Sequence, residues 1–314
     1  MLIVTGGAGF IGSNLVRGLN AHGRDDVVVV DDLSDGRKFR NLVACEISDY
    51  WDKDTALARL AALDEPPDAV LHQGACAVTT EWDGRYMLAQ NYQYSVDLFE
   101  YCRANDVPLI YASSASVYGA STRFSEDDSS VELPLNVYGY SKLLFDRYVR
   151  RRLADCRAQV VGLRYFNVYG PQEAHKESMA SVVHHFSRQL QATGEVRLFE
   201  GSGGYGNGEQ RRDFVYVDDV VKVNLWFLEH PEHSGVFNVG TGQSASFNEL
   251  ARAVIDWHGR GSIRYIPFPA ELEASYQSFT EADISALRAA GYAEPFADIG
   301  AGTKRYLDAV GPSS

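Results

Sequence analysis

Short apolar runs alternate with longer amphipathic stretches through the first half of the chain. Leu2–Thr5, Val27–Asp31, Ala69–His72, 109–112 and 160–164 are nearly continuous runs of β-branched and aliphatic residues, the pattern of strands buried on both faces. Helices fit between them at 9–22, 54–63, 85–105 and 137–153. In the third, Met87, Tyr94, Leu98 and Tyr101 recur at spacings of three, four or seven and share one face. Strands and helices alternating in this way predict an α/β fold, a doubly wound parallel sheet with helices on both sides. Past about residue 170 the texture changes to helices, short strands and glycine-rich loops. The expected organisation is a sheet domain over 1–170, joined by a further strand and helix from about 210–245, and a smaller mixed α/β C-terminal substrate lobe within 171–314. No linker separates them, so the two parts should share a cleft. The glycine-rich stretch 201–208 is expected to be the most flexible, because glycine lacks a Cβ restraint.

Composition narrows the function. The 314 residues are 45% hydrophobic and 23% charged, enough for one large domain and a lobe. No apolar run approaches the roughly 20 residues of a membrane span. Met1 leads straight into a glycine turn without a basic leader or a small-residue cleavage site, which predicts a cytosolic rather than a secreted protein. A net charge of −13 argues against nucleic-acid and anionic-membrane partners. Any phosphate ligand must then be held locally, by backbone amides and a few placed cations. Cys45, Cys76, Cys102 and Cys156 are scattered without a Cys-x-x-Cys pair, so neither a metal site nor a disulfide scaffold is expected, and they read as reduced packing residues.

The sequence Gly6-Gly7-Ala8-Gly9-Phe10-Ile11-Gly12 falls where the first strand ends and the first helix begins. Gly6 permits the tight turn, Gly9 lets a pyrophosphate approach the backbone, and Gly12 lets helix and strand lie close. The helix start supplies oriented amides. An acidic residue, Asp31, ends the second strand about twenty residues further on, which completes a dinucleotide fingerprint of Rossmann type. Asp31 and Asp32 suit a free ribose hydroxyl, as in NAD. Arg37, Lys38 and Lys53 could instead meet the 2′-phosphate of NADP, and both readings stand.

The strand 109–112 runs into Ser113-Ser114-Ala115-Ser116, and the helix after it carries Tyr138 and Lys142. Four residues apart, these two side chains lie one turn from each other on one helical face. A tyrosine of pKa about 10 is a poor base alone, and a neighbouring ammonium favours its phenolate. Tyr138 could then take a proton from an alcohol whose carbon gives up hydride, with Ser114 holding the oxygen.

Together with Tyr165-Phe166-Asn167-Val168-Tyr169-Gly170-Pro171 and the segment Arg212-Asp213-Phe214-Val215-Tyr216-Val217-Asp218-Asp219, these motifs resemble the extended short-chain dehydrogenase/reductase family over nearly the whole chain. Dehydratases of that family carry an Asp-Glu pair where this chain has Ala115 and Ser116, so epimerisation or simple reduction is implied instead. The stretches 73–84, 91–95 and 175–181 resemble the branch that epimerises nucleotide-linked heptoses at C6. That resemblance implies an ADP-heptose substrate, tightly held NADP with NAD possible, and a homo-oligomer, a pentamer. It implies Lys176 as a second proton-transfer group beside Tyr138, or alternatively as a phosphate contact. Asn167, Ser178, His185, Phe199, Glu200, Gly201, Ser202, Arg212 and Tyr276 should line the substrate site. Phe10, Ile11, Asp31, Asp32, Lys38, Lys53, Gln73, Gly74, Ala75, Cys76, Ala77, Asn91, Lys142, Val168 and Lys176 should meet the cofactor. Arg212 reads either as a pyrophosphate fork or as an ion pair with Asp213 or Asp218. A UDP-hexose 4-epimerase would share the first half, with Lys176, Ser178 and His185 as the discriminating residues. A non-catalytic cofactor sensor would not need the Ser114, Tyr138 and Lys142 set. Asp32 and the length of 203–210 depart from the family pattern.

Overall fold

The computed structural model describes residues 1–269 and 276–311. Seven parallel strands stand in the order Gly235–Val239, Val160–Tyr165, Leu109–Ser114, Ala69–His72, Leu2–Thr5, Val27–Asp31 and Asp49–Asp52. Successive side chains of a strand point to opposite faces, and here both faces are covered. Leu2, Val4, Val27, Val29, Ala69 and Leu71 pack with Leu15 and Leu19 of helix Phe10–Ala21 and with Val220 and Phe227 of helix Val217–Glu229. Ile3, Val28, Val30 and Val70 pack on the other side with Leu60, Leu98, Phe99 and Phe145. Those four come from helices Lys53–Ala61, Tyr94–Ala104 and Val137–Arg150. The fold is the doubly wound Rossmann type, and its strand order reverses between Leu2–Thr5 and Ala69–His72, the place where such sheets bind ligands.

Two elements differ from the sequence expectation. The edge strand Asp49–Asp52 has polar, mostly exposed residues around Trp51 and so lacks an apolar run. It forms because the backbone of Val27–Asp31 offers it a free ladder. The helix expected over 85–105 is interrupted: Gly84–Leu88 and Tyr94–Ala104 flank a π-helical segment at Ala89–Gln93. The wider turn aims Asn91 into the protein, where it is fully buried.

In the second half, helices Val182–Thr193, Phe247–His258 and Ile299–Val310 surround the parallel pair Glu195–Phe199 and Ser262–Ile266. Their core contains Val183, Phe186, Leu198, Leu250, Val254 and Tyr306, and Phe10 of the first helix reaches into it. The end of the stretch 201–208 is tied to the helix Phe247–His258 and to Phe199. Asn248 donates to the Asn207 carbonyl and to Glu209, its amide donates to the Gly208 carbonyl, and Gly208 donates to Phe199. Tertiary hydrogen bonds supply the restraint that the glycines lack. No helix among the described residues is long and apolar enough to cross a membrane.

Candidate active site

The glycine turn is dictated by space. Gly6 has φ +65°, and a Cβ there would lie 2.6 Å from the Gly74 nitrogen. A Cβ at Gly12 would strike the Gly6 carbonyl oxygen. Gly9 caps the helix Phe10–Ala21 without a side-chain bond, and the first turn holds no acid. Its amides are therefore left for an anion.

A cleft of about 480 Å³ opens over this turn. Of the residues expected at the cofactor, Gly6, Gly9, Phe10, Ile11, Gly12, Asp31, Asp32, Lys38, Lys53, 73–77 and Lys176 line it. Three do not. Asn91 is spent on the loop: its side chain accepts from the Cys76 amide at 2.7 Å and donates to the Cys76 carbonyl at 2.9 Å and to Ser141 at 3.2 Å. Val168 packs between the two lobes. Lys142 lies on the helix Val137–Arg150, its ammonium turned to the strand Leu109–Ser114. Sequence reading missed Tyr86, Gln90, Tyr94, His175 and Met179 on the wall; isolated polar and aromatic residues carry no spacing signal.

At the acidic end Asp31 is already engaged. One carboxylate oxygen accepts the Ala8 amide at 2.7 Å, and the other meets Lys38 Nζ at 2.6 Å. Lys53 donates to Gln90 at 2.9 Å and stands 3.7 Å from Asp32. Arg37 faces outward to Asp35 and Glu177.

The helix Val137–Arg150 starts where it does because Asn136 accepts the Gly139 amide at 2.8 Å. That cap puts Tyr138 in the first turn and Lys142 one turn on. Burial of Tyr138 dominates and raises its pKa, with the nearby Ser114 opposing the rise and Cys76 adding to it. The lowering by Lys142 that the sequence predicts does not emerge, because the buried Lys142 donates to the Ala112 carbonyl at 2.8 Å. Burial brings Lys142 itself down to about 8, with Asp146 opposing.

Arg212 is 8% exposed and makes no ion pair among the described residues. Asp213, a proposed partner from sequence, instead accepts the amides of Thr241, Gly242 and Ala282. The guanidinium stacks 5.0 Å from the Tyr276 ring and 5.9 Å from Phe247, and burial lowers its pKa. Tyr276 continues through Phe268 (5.1 Å) to Phe199 (5.3 Å). A buried guanidinium beside an aromatic wall suits a nucleotide diphosphate. Phe268 was not foreseen. Glu200, Gly201 and Ser202 adjoin this wall, tied by Gln210 and Asn207. Asn167 lies beside it, donating its amide to Asp213 and accepting from Thr280 at 3.4 Å.

Ser178 is exposed, in the turn Ala174–Met179 that carries Lys176. His185 meets His184 edge-on at 5.8 Å. The Lys176 Nζ stands 5.3 Å above the Phe10 ring, on the cofactor cleft, and burial lowers its pKa against the pull of Glu173.

Residues 2–240 match the model of the NAD dependent epimerase/dehydratase family. The chain is 61% identical over 313 residues to an ADP-L-glycero-D-manno-heptose-6-epimerase of Alkalilimnicola ehrlichii, covering 99% of this chain and 97% of the relative. It superposes on the crystal structure of the Helicobacter pylori ADP-L-glycero-D-manno-heptose-6-epimerase with a TM-score of 0.85 at 36% identity, over 98% of this chain and 95% of that one. A Thermus thermophilus UDP-glucose 4-epimerase in complex with NAD gives 0.80 at 27% identity, over 98% and 97%.

Proposed function

The chain belongs to the NAD dependent epimerase/dehydratase family, and from that premise we propose that it interconverts ADP-D-glycero-D-manno-heptose and ADP-L-glycero-D-manno-heptose at C6. The carrying observation is Lys176, a desolvated amine on the cofactor cleft in a chain that also holds Ser114, Tyr138 and Lys142. A nicotinamide dinucleotide held over the glycine turn by Gly6, Gly9 and Gly12 would supply the hydride chemistry at C6. Tyr138 takes the O6 proton while Ser114 holds that oxygen. Arg212 grips the diphosphate as the sugar turns its other face, and Lys176 supplies the proton on that side. Burial lowers the cost of Lys176 giving up its proton. Ala115 and Ser116 offer no carboxylate pair for elimination, which disfavours dehydration.

The test is proton NMR of C6 configuration after mixing the purified protein, without added cofactor, with the D-glycero substrate. Conversion to the L-glycero form is expected. No conversion even with NADP or NAD added would overturn the reading and favour another nucleotide sugar. The position of Lys176 above Phe10, at the helix start, favours a second reading in which it binds cofactor phosphate. Lys176→Met separates the two: the base reading expects lost epimerisation with dinucleotide retained, the phosphate reading expects dinucleotide lost.

We assign NADP as the preferred cofactor, supported by Lys38 and Lys53 on the cleft beside Asp31 and Asp32. A charge-assisted bond contributes about 1.5–3 kcal/mol, so Lys38→Ala should cut the NADP-to-NAD binding ratio by roughly tenfold or more. An unchanged ratio in competitive binding would remove Lys38 from the role. A cytosolic homopentamer completes the proposal, supported by exposed Trp82 and Tyr140, 71% and 45% accessible; a monomer mass in sedimentation would remove it.

A further inference from the structure

An epimerase that takes hydride from a carbon and returns it to the same carbon must keep its dinucleotide between the two transfers. Loss of the reduced cofactor in that interval would strand the oxidised sugar. We propose that the ion pair between Arg37 and Glu177 latches a strap across the cofactor cleft and slows escape of the dinucleotide, an inference that rests on the cofactor reading above.

Two segments far apart in sequence line the cleft. Asp35 and Lys38 come from the loop after the strand Val27–Asp31, and His175, Lys176 and Met179 come from the turn Ala174–Met179. The approach to that turn is anchored on the first half of the chain. Buried Asn14, on the helix Phe10–Ala21, donates to the Pro171 carbonyl at 2.9 Å. The buried Asn41 amide donates to the Ala8 carbonyl at 2.9 Å and lies 3.2 Å from both the Gln172 carbonyl oxygen and His175 Nδ1. The exit is fixed by Ser181, whose amide and hydroxyl donate at 2.5 and 2.6 Å to buried Glu173, which lines a separate cavity of about 210 Å³. Between these anchors, Lys176 stands over Phe10 and Glu177 accepts from Arg37 Nη1 at 2.5 Å. Among the described residues, that bond is the one side-chain link between the tip 176–179 and the loop 32–38.

The guanidinium is aimed before it meets Glu177. Asp35 accepts its Nε at 2.9 Å and its Nη2 at 3.0 Å, and also accepts the Arg37 amide at 3.1 Å, which leaves Nη1 for the strap. Glu177 has φ 50° and ψ −117°, a conformation open to glycine and strained for a residue with a Cβ. A side chain persists there only where its surroundings hold it, and the bond to Arg37 does so. Neither Arg37 nor Glu177 lines the cleft, so both act through the strap as positioning residues. A network of charges holds more than a lone surface pair. Because the two side chains are 57% and 65% exposed, salt screens their attraction.

The test loads the protein with NADPH, chases with excess oxidised dinucleotide, and reads the release rate from the decay of bound NADPH fluorescence. Glu177→Gln keeps the size of the side chain and removes its charge. It should release NADPH about two- to fivefold faster than wild type, the range an exposed ion pair supplies. In an Arg37→Gln background the same change should have no further effect, because the contact is already gone. The acceleration should be equal for NADH, and the gap from wild type should close in about 1 M KCl. Release at the wild-type rate in Glu177→Gln, an undiminished effect in the Arg37→Gln background, or acceleration confined to NADPH would overturn the latch; the last would make the pair part of a 2′-phosphate contact. Failure of the cofactor reading looks different, since the wild-type protein would then bind neither NADPH nor NADH, and the latch would fall with it.

Discussion

Tyr138→Phe is expected to lower kcat for epimerisation by about 10²–10⁴-fold, the contribution of a positioned general acid–base group, while bound dinucleotide stays in place. Only one hydroxyl is lost. The Asn136 cap that sets the helix start does not involve it, and the glycine turn and cleft lie on other elements. The ring remains to fill its half-buried site. Cofactor content by absorbance and turnover by NMR, measured on the same sample, check the two halves of the prediction. Full turnover would remove Tyr138 from the chemistry. Dinucleotide lost together with activity would instead make it part of the cofactor site.

The largest effect on stability is expected from Arg164→Met, about 3–5 kcal/mol, because it leaves buried Asp146 without its cation and takes from buried Glu132 one of the arginines that hold it. Arg164, Glu132 and Asp146 have fully buried side chains. Arg164 meets Glu132 at 2.6 Å and Asp146 at 2.9 Å, and Asp146 also accepts Tyr111 and Ser113. The group joins the strands Leu109–Ser114 and Val160–Tyr165 to the helix Val137–Arg150, next in sequence to Ser114 and one turn past Lys142. Burial pushes the Glu132 pKa up, but hydrogen bonds from Arg164 and Arg150 outweigh it and hold the value below the ordinary one. A depressed carboxylate contributes stability that is present above its unfolded pKa of about 4.3 and lost as pH falls through its folded value. The gap in Tm between wild type and variant should therefore be widest near neutral pH and narrow in acid. A stability difference below about 1 kcal/mol at neutral pH, or a gap independent of pH, would show that the network carries little net stability.

Much of this was legible before any coordinates. Gly6, Gly9 and Gly12 follow a strand and open a helix, and each answers a local demand of backbone conformation or close approach. Tyr138 and Lys142 share a face because a helix repeats every 3.6 residues. The central strands announce themselves because burial on both faces requires continuous apolar runs. Local or short-range rules cover all of these. The edge strand Asp49–Asp52 escaped because its pairing comes from a neighbour rather than from its own residues, and the break at Ala89–Gln93 escaped because a helical pattern of apolar residues does not reveal one inserted residue.

The sequence by itself determined the layered α/β fold, the glycine turn at the first helix and the shared face of Tyr138 and Lys142, since periodicity and spacing act within one element. Tertiary structure alone decided how those groups are charged and paired. Among the described residues it left Arg212 without a carboxylate, gave Asp31 to Ala8 and Lys38, turned Asn91 toward Cys76, and set Lys176 and Glu173 on two different cavities. Partner choice and desolvation depend on distances between residues far apart in the chain, and no spacing along the chain encodes them.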